Sequence, residues 1–204
     1  MNPTTETVTT APPPETFDIE TETLIIGAGA CGLVAALSAK EAGQQVLVVE
    51  ADAVARGSTA LSAGLIPAAG TMMQREAGIK DDASLFAADI QAKAKGENEQ
   101  MLVHLLAGEA AEVIDWLAND YGLPFSVVTD FDYPGHSRRR MHGLPSRSGA
   151  ELIDSLRNIC EVKGIDIVFE RRARTLFHED DVVRGVSVLR PDGELETIGC
   201  NRLI

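Results

Sequence analysis

Leu24-Ile25-Ile26-Gly27-Ala28-Gly29-Ala30-Cys31-Gly32 decides the fold of this chain. The run starts as an apolar strand, turns at a G-x-G-x-x-G spacing and enters an Ala-rich segment that reads as a helix. Gly27 permits the tight turn, Gly29 leaves room for a pyrophosphate to approach the backbone, and Gly32 lets the helix pack close to the strand. A helix that starts there turns unpaired N–H groups and the positive end of its dipole toward the phosphates. Gly43 stops the helix, and Gln45-Val46-Leu47-Val48-Val49-Glu50 reads as the next parallel strand. Glu50 ends it at the spacing of a carboxylate that accepts a hydrogen bond from the adenosine ribose. A bare G-x-G-x-x-G occurs in many chains. Flanked by strand, helix, helix stop, second strand and terminal acid, this one points to a dinucleotide.

Beyond Glu50, the stretch from Ala51 to Gly70 is rich in Gly, Ser and Ala, which suits close approach of backbone to a ligand. Two helices are expected next, from Asp82 to Lys95 and from about Glu97 to Tyr121, the second with a break near Gly108. Leu102, Leu105, Leu106, Ala110, Val113, Ile114 and Leu117 recur at helical spacing and predict one apolar face for it. Trp116 reads as packing beside that face, and His104 as a surface histidine with no metal-ligand partner in reach. The segment from Leu123 to His142 reads as irregular, with short strands and a turn at Tyr133-Pro134-Gly135. It carries His136, Arg138, Arg139, Arg140 and His142, either a solvated basic patch or a cluster facing an anionic substrate or a phosphate. Gly149 to Lys163 reads as a helix stopped by Gly164. Asp166 to Phe169 predicts a short strand parallel to the first two. Ala173 to Phe177, Val182 to Leu189 and Glu194 to Cys200 predict a three-stranded antiparallel meander, with turn chemistry at Glu179-Asp180-Asp181 and Pro191-Asp192-Gly193. Arg202-Leu203-Ile204 reads as the opening of a further strand.

The chain's 204 residues suffice for one domain of ordinary size. A net charge of −13 without a basic stripe argues against nucleic acid and anionic membrane surfaces as partners. Cys31, Cys160 and Cys200 are widely spaced and form no C-x-x-C, so neither a zinc site nor a disulfide framework is indicated, and reduced thiols in a cytoplasm are expected. Residues 1–17, rich in Thr, Pro and Glu, lack the basic and apolar regions of a signal peptide and are expected to form a disordered tail before a domain over 18–204. No stretch is long and apolar enough to span a membrane.

On Gly27-Ala28-Gly29-Ala30-Cys31-Gly32-Leu33-Val34-Ala35-Ala36, Glu50 and the loop Gly57-Ser58-Thr59-Ala60-Leu61-Ser62-Ala63-Gly64, the chain resembles one family. It is similar to the N-terminal part of flavoproteins of the fumarate reductase and succinate dehydrogenase class, which includes L-aspartate oxidase and 3-ketosteroid dehydrogenases. Gly135-His136-Ser137-Arg138-Arg139 is similar to aspartate oxidases, and Arg172-Ala173 to the family's adenine-side contact. The resemblance implies an α/β fold: a Rossmann-like FAD-binding domain with a parallel central sheet, inserted helices and an antiparallel β-meander, cut short of its capping domain. It implies that Gly27, Gly29, Ala30 and Gly32 hold the pyrophosphate and Glu50 the ribose, with Ala51 beside it in the cofactor-binding set. Ser58 and Thr59 would lie along the phosphates and ribityl chain. Ala63, Gly64 and Leu65 would approach the isoalloxazine through their backbone, and Ala173 would offer its backbone to adenine. Ser58 stands where covalent members carry a flavin-linked histidine, so FAD is expected to be non-covalent.

For the parent enzyme the resemblance implies hydride transfer between flavin N5 and a carbon–carbon bond next to a carboxylate, with a small, anionic substrate and a separate electron donor or acceptor. A 3-ketosteroid substrate is the alternative. The proton donor and substrate-binding residues of the family lie past the position of Ile204, so no catalytic residue is assigned and the chain alone is expected to be inactive. Arg140 and His142 stay open as substrate contacts, against a structural role. A dinucleotide-binding module without turnover, or an NAD site, are the other readings of the same motif. Missing its last parallel strand, the fold is expected to be marginal, with an exposed strand edge.

Overall fold

The computed structural model describes residues 8–204. In chain order these form β1 (Thr9–Ala11), β2 (Ile19–Ile26), α1 (Ala30–Glu41), β3 (Val46–Val49), a short α2 (Gly57–Ala60) and β4 (Ile66–Pro67). There follow α3 (Met72–Glu76), α4 (Ala83–Lys93), α5 (Gln100–Asn119), β5 (Ser126–Val127), β6 (Met141–Gly143) and α6 (Gly149–Val162). The chain then ends in β7 (Asp166–Val168), β8 (Arg172–Glu179), β9 (Val182–Leu189) and β10 (Leu195–Leu203). The described residues divide into two compact units, one that runs to Leu61 and resumes over Leu152–Ile204 and one of Ser62–Glu151.

The first unit is built on a seven-stranded sheet of order β1-β8-β9-β10-β2-β3-β7. β2, β3 and β7 run parallel, as the sequence predicts. Leu24 and Ile25 are neighbours in β2, so they point to opposite faces of the sheet, yet both are buried. Burial on both faces is why this segment reads as a continuous apolar run rather than an alternating one. On one face Leu24 and Val49 pack against Val186, Val188, Ile198 and Cys200 of the meander. α1 buries Gly32, Leu33, Ala36 and Leu37, and the Cys160 thiol of α6 donates to the Leu33 carbonyl at 3.6 Å. Burial, with some help from Glu161, pushes that thiol up to about 12, so it is an inert core group.

Arg202 and Leu203 do not open a new strand. They complete β10, which pairs antiparallel with β9 over Leu195–Gly199 and parallel with β2 from Ile198 to Leu203. The Ile26 N–H donates to the Ile204 carbonyl at 2.8 Å, so β2 is flanked on both sides and the predicted open edge beside it is filled. Thr9–Ala11, expected within the disordered tail, form β1, parallel to β8; the part of the tail over 1–7 lies outside the described residues. Phe17 continues this attachment. Its ring lies against the backbone of Gly185 and Gly199, where a Cβ would come within 2.8 and 2.6 Å of it, and meets Phe177 edge-on at 5.9 Å.

In the second unit, β4, β6 and β5 make a small antiparallel sheet. α3 is opened by a capping box, in which the Thr71 hydroxyl accepts the Gln74 N–H while the Gln74 side chain turns back to the Thr71 N–H. Asp82 caps α4 by accepting the Leu85 N–H at 2.9 Å. α5 passes through Gly108 without a break. Its buried side chains are Val103, Ala107, Ile114 and Leu117, and Val103 and Ala107 pack with Phe86 and Ala87 of α4. Leu102, Leu105 and Leu106, expected in the buried face, are each more than half exposed. The helix is apolar over much of its circumference, so spacing alone admits two faces. The smaller Val103 and Ala107 let α4 come close, which selects theirs.

Candidate functional site

The site grows from the end of β2. Gly27 adopts φ +105°, a left-handed conformation that suits glycine, and its N–H donates to the Val49 carbonyl at 2.7 Å, tying the turn to β3. Gly29 is the N-cap of α1 and has no side chain with which to cap it. A Cβ on Gly29 would meet only the Thr59 hydroxyl, at 3.8 Å, so the space beside this backbone is open. At Gly32 the situation is reversed, since a Cβ there would lie 2.0 Å from the Gly27 carbonyl oxygen. Helix and turn can approach this closely only without a side chain at that position. Ala30 begins α1, and its N–H donates to the Thr59 hydroxyl at 3.3 Å.

Glu50 follows β3 with its carboxylate turned back on the turn. Oε2 accepts the Ala28 N–H at 2.8 Å and Oε1 the Asp52 N–H at 2.9 Å. Each oxygen keeps a lone pair for a further donor. The Glu50 N–H donates to Val168, and its carbonyl accepts from the Arg171 N–H at 2.7 Å. The backbone just before β8 is thereby fixed beside Glu50 and the half-buried Ala51. Ala173 lies in β8 opposite Val188, next to a bulge. Ser58, in α2, is exposed. Gly27, Gly29, Ala30, Gly32, Glu50, Ala51, Ser58, Thr59 and Ala173 all belong to the first unit. Sequence reasoning missed the part of Ala28 and Asp52, whose N–H groups hold the Glu50 carboxylate; backbone donors leave no trace in residue type.

Ala63, Gly64 and Leu65 belong to the second unit. Gly64 adopts φ +61°, and a Cβ on it would fall 2.8 Å from the Ser148 carbonyl group. Its N–H donates to the Ser62 hydroxyl, and the Ser62 carbonyl accepts the Gly149 N–H. The Leu65 side chain occupies the space over Gly143.

Arg140 and His142 are fully buried, and their role is structural rather than substrate-facing. The Arg140 guanidinium forks onto both oxygens of Asp81 at 2.9 Å, reaches Asp89 with Nη1, and lies 4.8 Å above the Phe86 ring. Burial disfavours its charge, but the bonds to Asp81 and Asp89 outweigh that and raise its pKa. His142 shares a hydrogen bond with the Thr71 hydroxyl at 2.8 Å and another with the Arg140 carbonyl at 2.9 Å. Burial lowers its pKa and keeps the ring neutral. No signal in the sequence distinguishes Arg140 from its exposed neighbours Arg138 and Arg139. Among the described residues no cluster of His, Cys, Asp or Glu could hold a metal ion, and no helix is long and apolar enough to cross a membrane.

Comparison with known proteins agrees with this geometry. Residues 22–203 match the family described as FAD binding domain. The chain is 34% identical over 165 residues to a probable fumarate reductase of Shewanella frigidimarina, covering 79% of this chain and 27% of that protein. Among solved structures, the open conformation of a flavocytochrome c3 fumarate reductase superposes with a TM-score of 0.84 at 30% identity, over 92% of this chain and 33% of that one. A 3-ketosteroid-Δ4-(5α)-dehydrogenase from Rhodococcus jostii RHA1 superposes with a TM-score of 0.82 at 22% identity, over 97% of this chain and 47% of that one, a likeness of fold. The chain thus spans about a quarter to a half of the length of these proteins.

Proposed function

Because this chain belongs to the FAD-binding domain family, we propose that it holds FAD non-covalently as the cofactor-binding part of a flavin-dependent oxidoreductase. The turn from β2 into α1 carries the reading: a helix N-terminus with a glycine N-cap and open space at Gly29, beside a carboxylate fixed at the end of β3. In this proposal Gly27, Gly29, Ala30 and Gly32 line the pyrophosphate at the N-terminus of α1, whose dipole favours the anion. Glu50 accepts the ribose hydroxyls on its remaining lone pairs, with Ala51 adjoining. Ser58 and Thr59 line the phosphates and ribityl chain, Ala173 meets adenine through its backbone, and Ala63, Gly64 and Leu65 meet the isoalloxazine through theirs. Ser58 in the α2 loop offers no imidazole for a covalent link.

When bound, FAD supplies hydride transfer at N5, and for the whole protein we propose that this acts on a carbon–carbon bond next to a carboxylate, in a small anionic substrate, with a separate electron partner. The fumarate reductases at 30% identity or more support that substrate class. The residues of this chain named above bind and orient the cofactor. Flavin absorbance during titration tests the assignment. Glu50→Ala removes hydrogen bonds to a charged acceptor, so FAD affinity should fall roughly tenfold to a hundredfold. Unfolding in guanidinium should release intact FAD to the filtrate. Unchanged affinity in the variant, or flavin retained on the unfolded chain, contradicts the proposal.

A further inference from the structure

The second unit contains a cleft of about 620 Å³ whose walls include Lys80, Asp132, Tyr133, His136, Arg138 and Arg139. In a protein of net charge −13 this cleft gathers three cations around one carboxylate. That carboxylate is taken, because Asp132 Oδ1 accepts from Arg139 Nε at 2.7 Å. Arg138 is held differently. Its Nε donates to the Lys80 carbonyl at 3.2 Å and its Nη1 to the Ser137 carbonyl at 2.8 Å. Among the described residues neither Arg138 nor Lys80 meets a carboxylate. The backbone therefore orients the Arg138 guanidinium without neutralising it, and its Nη2 hydrogens stay available. A pre-oriented, uncompensated guanidinium next to an ammonium is the arrangement that receives an oxyanion.

The rest of the wall suits a small organic ligand. The rings of Tyr133 and His136 lie 5.8 Å apart. His136 Nδ1 is buried with no hydrogen-bond partner, so the fold leaves a polar atom unsatisfied in the cleft's own lining residue.

We propose that this cleft is a binding site for a small oxyanion, a carboxylate or a phosphate group, received by Arg138 and Lys80. None of its residues belongs to the set assigned to FAD, so the two proposals stand or fall separately.

Isothermal titration of the purified chain with succinate, and separately with inorganic phosphate, at constant ionic strength and with and without added FAD, tests it. At least one anion should bind saturably, and Arg138→Gln and Lys80→Gln should each weaken it about tenfold or more. FAD affinity and the thermal midpoint should stay at their wild-type values, because both side chains are exposed and lie outside the FAD set. Saturation by succinate alone assigns the site to carboxylates, and by phosphate alone to phosphates. Saturation by neither anion, or variants that bind as the wild type does, overturns the proposal.

Discussion

Arg140 shows how one residue can be essential to a unit without facing a ligand. Its guanidinium and the Asp81 carboxylate are both wholly inaccessible to solvent, so removing one leaves the other as a buried unpaired charge. Arg140→Met should therefore cost about 3–5 kcal/mol in urea unfolding, and Arg140→Met with Asp81→Leu should recover a large part of it. A single variant within experimental error of wild type would mean that the pair contributes nothing. His142 gives a second prediction at this scale. Burial holds its folded pKa below the ordinary 6.5. Below pH 6.5 the unfolded chain therefore takes up a proton that the folded chain refuses, and stability falls as the pH drops toward the folded value. The loss is at most about 1.4 kcal/mol per pH unit for this one group. Urea unfolding between about pH 7.5 and 5.5 should show a shallower dependence for His142→Gln than for wild type. Equal slopes would place the titration elsewhere.

At the scale of elements, α5 separates what periodicity can tell from what it cannot. Spacing places Ile114 and Leu117 inside correctly, but contact with α4 brings Val103 and Ala107 inside in place of Leu102, Leu105 and Leu106. Ile114→Ala should cost about 2–5 kcal/mol, while Leu105→Gln should change stability by no more than about 0.5 kcal/mol, both read from chemical denaturation. A larger loss at Leu105 than at Ile114 would contradict the burial of Ile114 and the exposure of Leu105. The β2 turn, α1, β3 and Glu50 were legible because each signal is local and the residue types are the mechanism: glycine for the turn, a carboxylate for the ribose. β10 was not legible to its end, because its parallel pairing with β2 joins residues far apart in sequence. β1 was hidden for a related reason. Thr9–Ala11 sit before a proline run that reads as coil, and become a strand only by adding to the edge of β8. α3 could have been found, since Thr71-Met72-Met73-Gln74 is a capping-box spacing. The burial of Arg140 could not, since three consecutive arginines look alike until Asp81 and Asp89 are placed around one of them.

Across the whole molecule, the chain carries the family's cofactor-binding portion over nearly all of its length while spanning about a quarter to a third of the fumarate reductases it matches. In the proposed site the Gly27–Gly32 turn and Glu50 serve FAD rather than a nicotinamide dinucleotide, a choice that Glu50 alone does not make. The most direct test is titration of the purified chain with FAD, followed by flavin absorbance and fluorescence, with NADH as competitor. Saturable FAD binding that excess NADH does not displace is the predicted result. A folded chain that binds NADH in preference, or that leaves FAD free in solution, would contradict it.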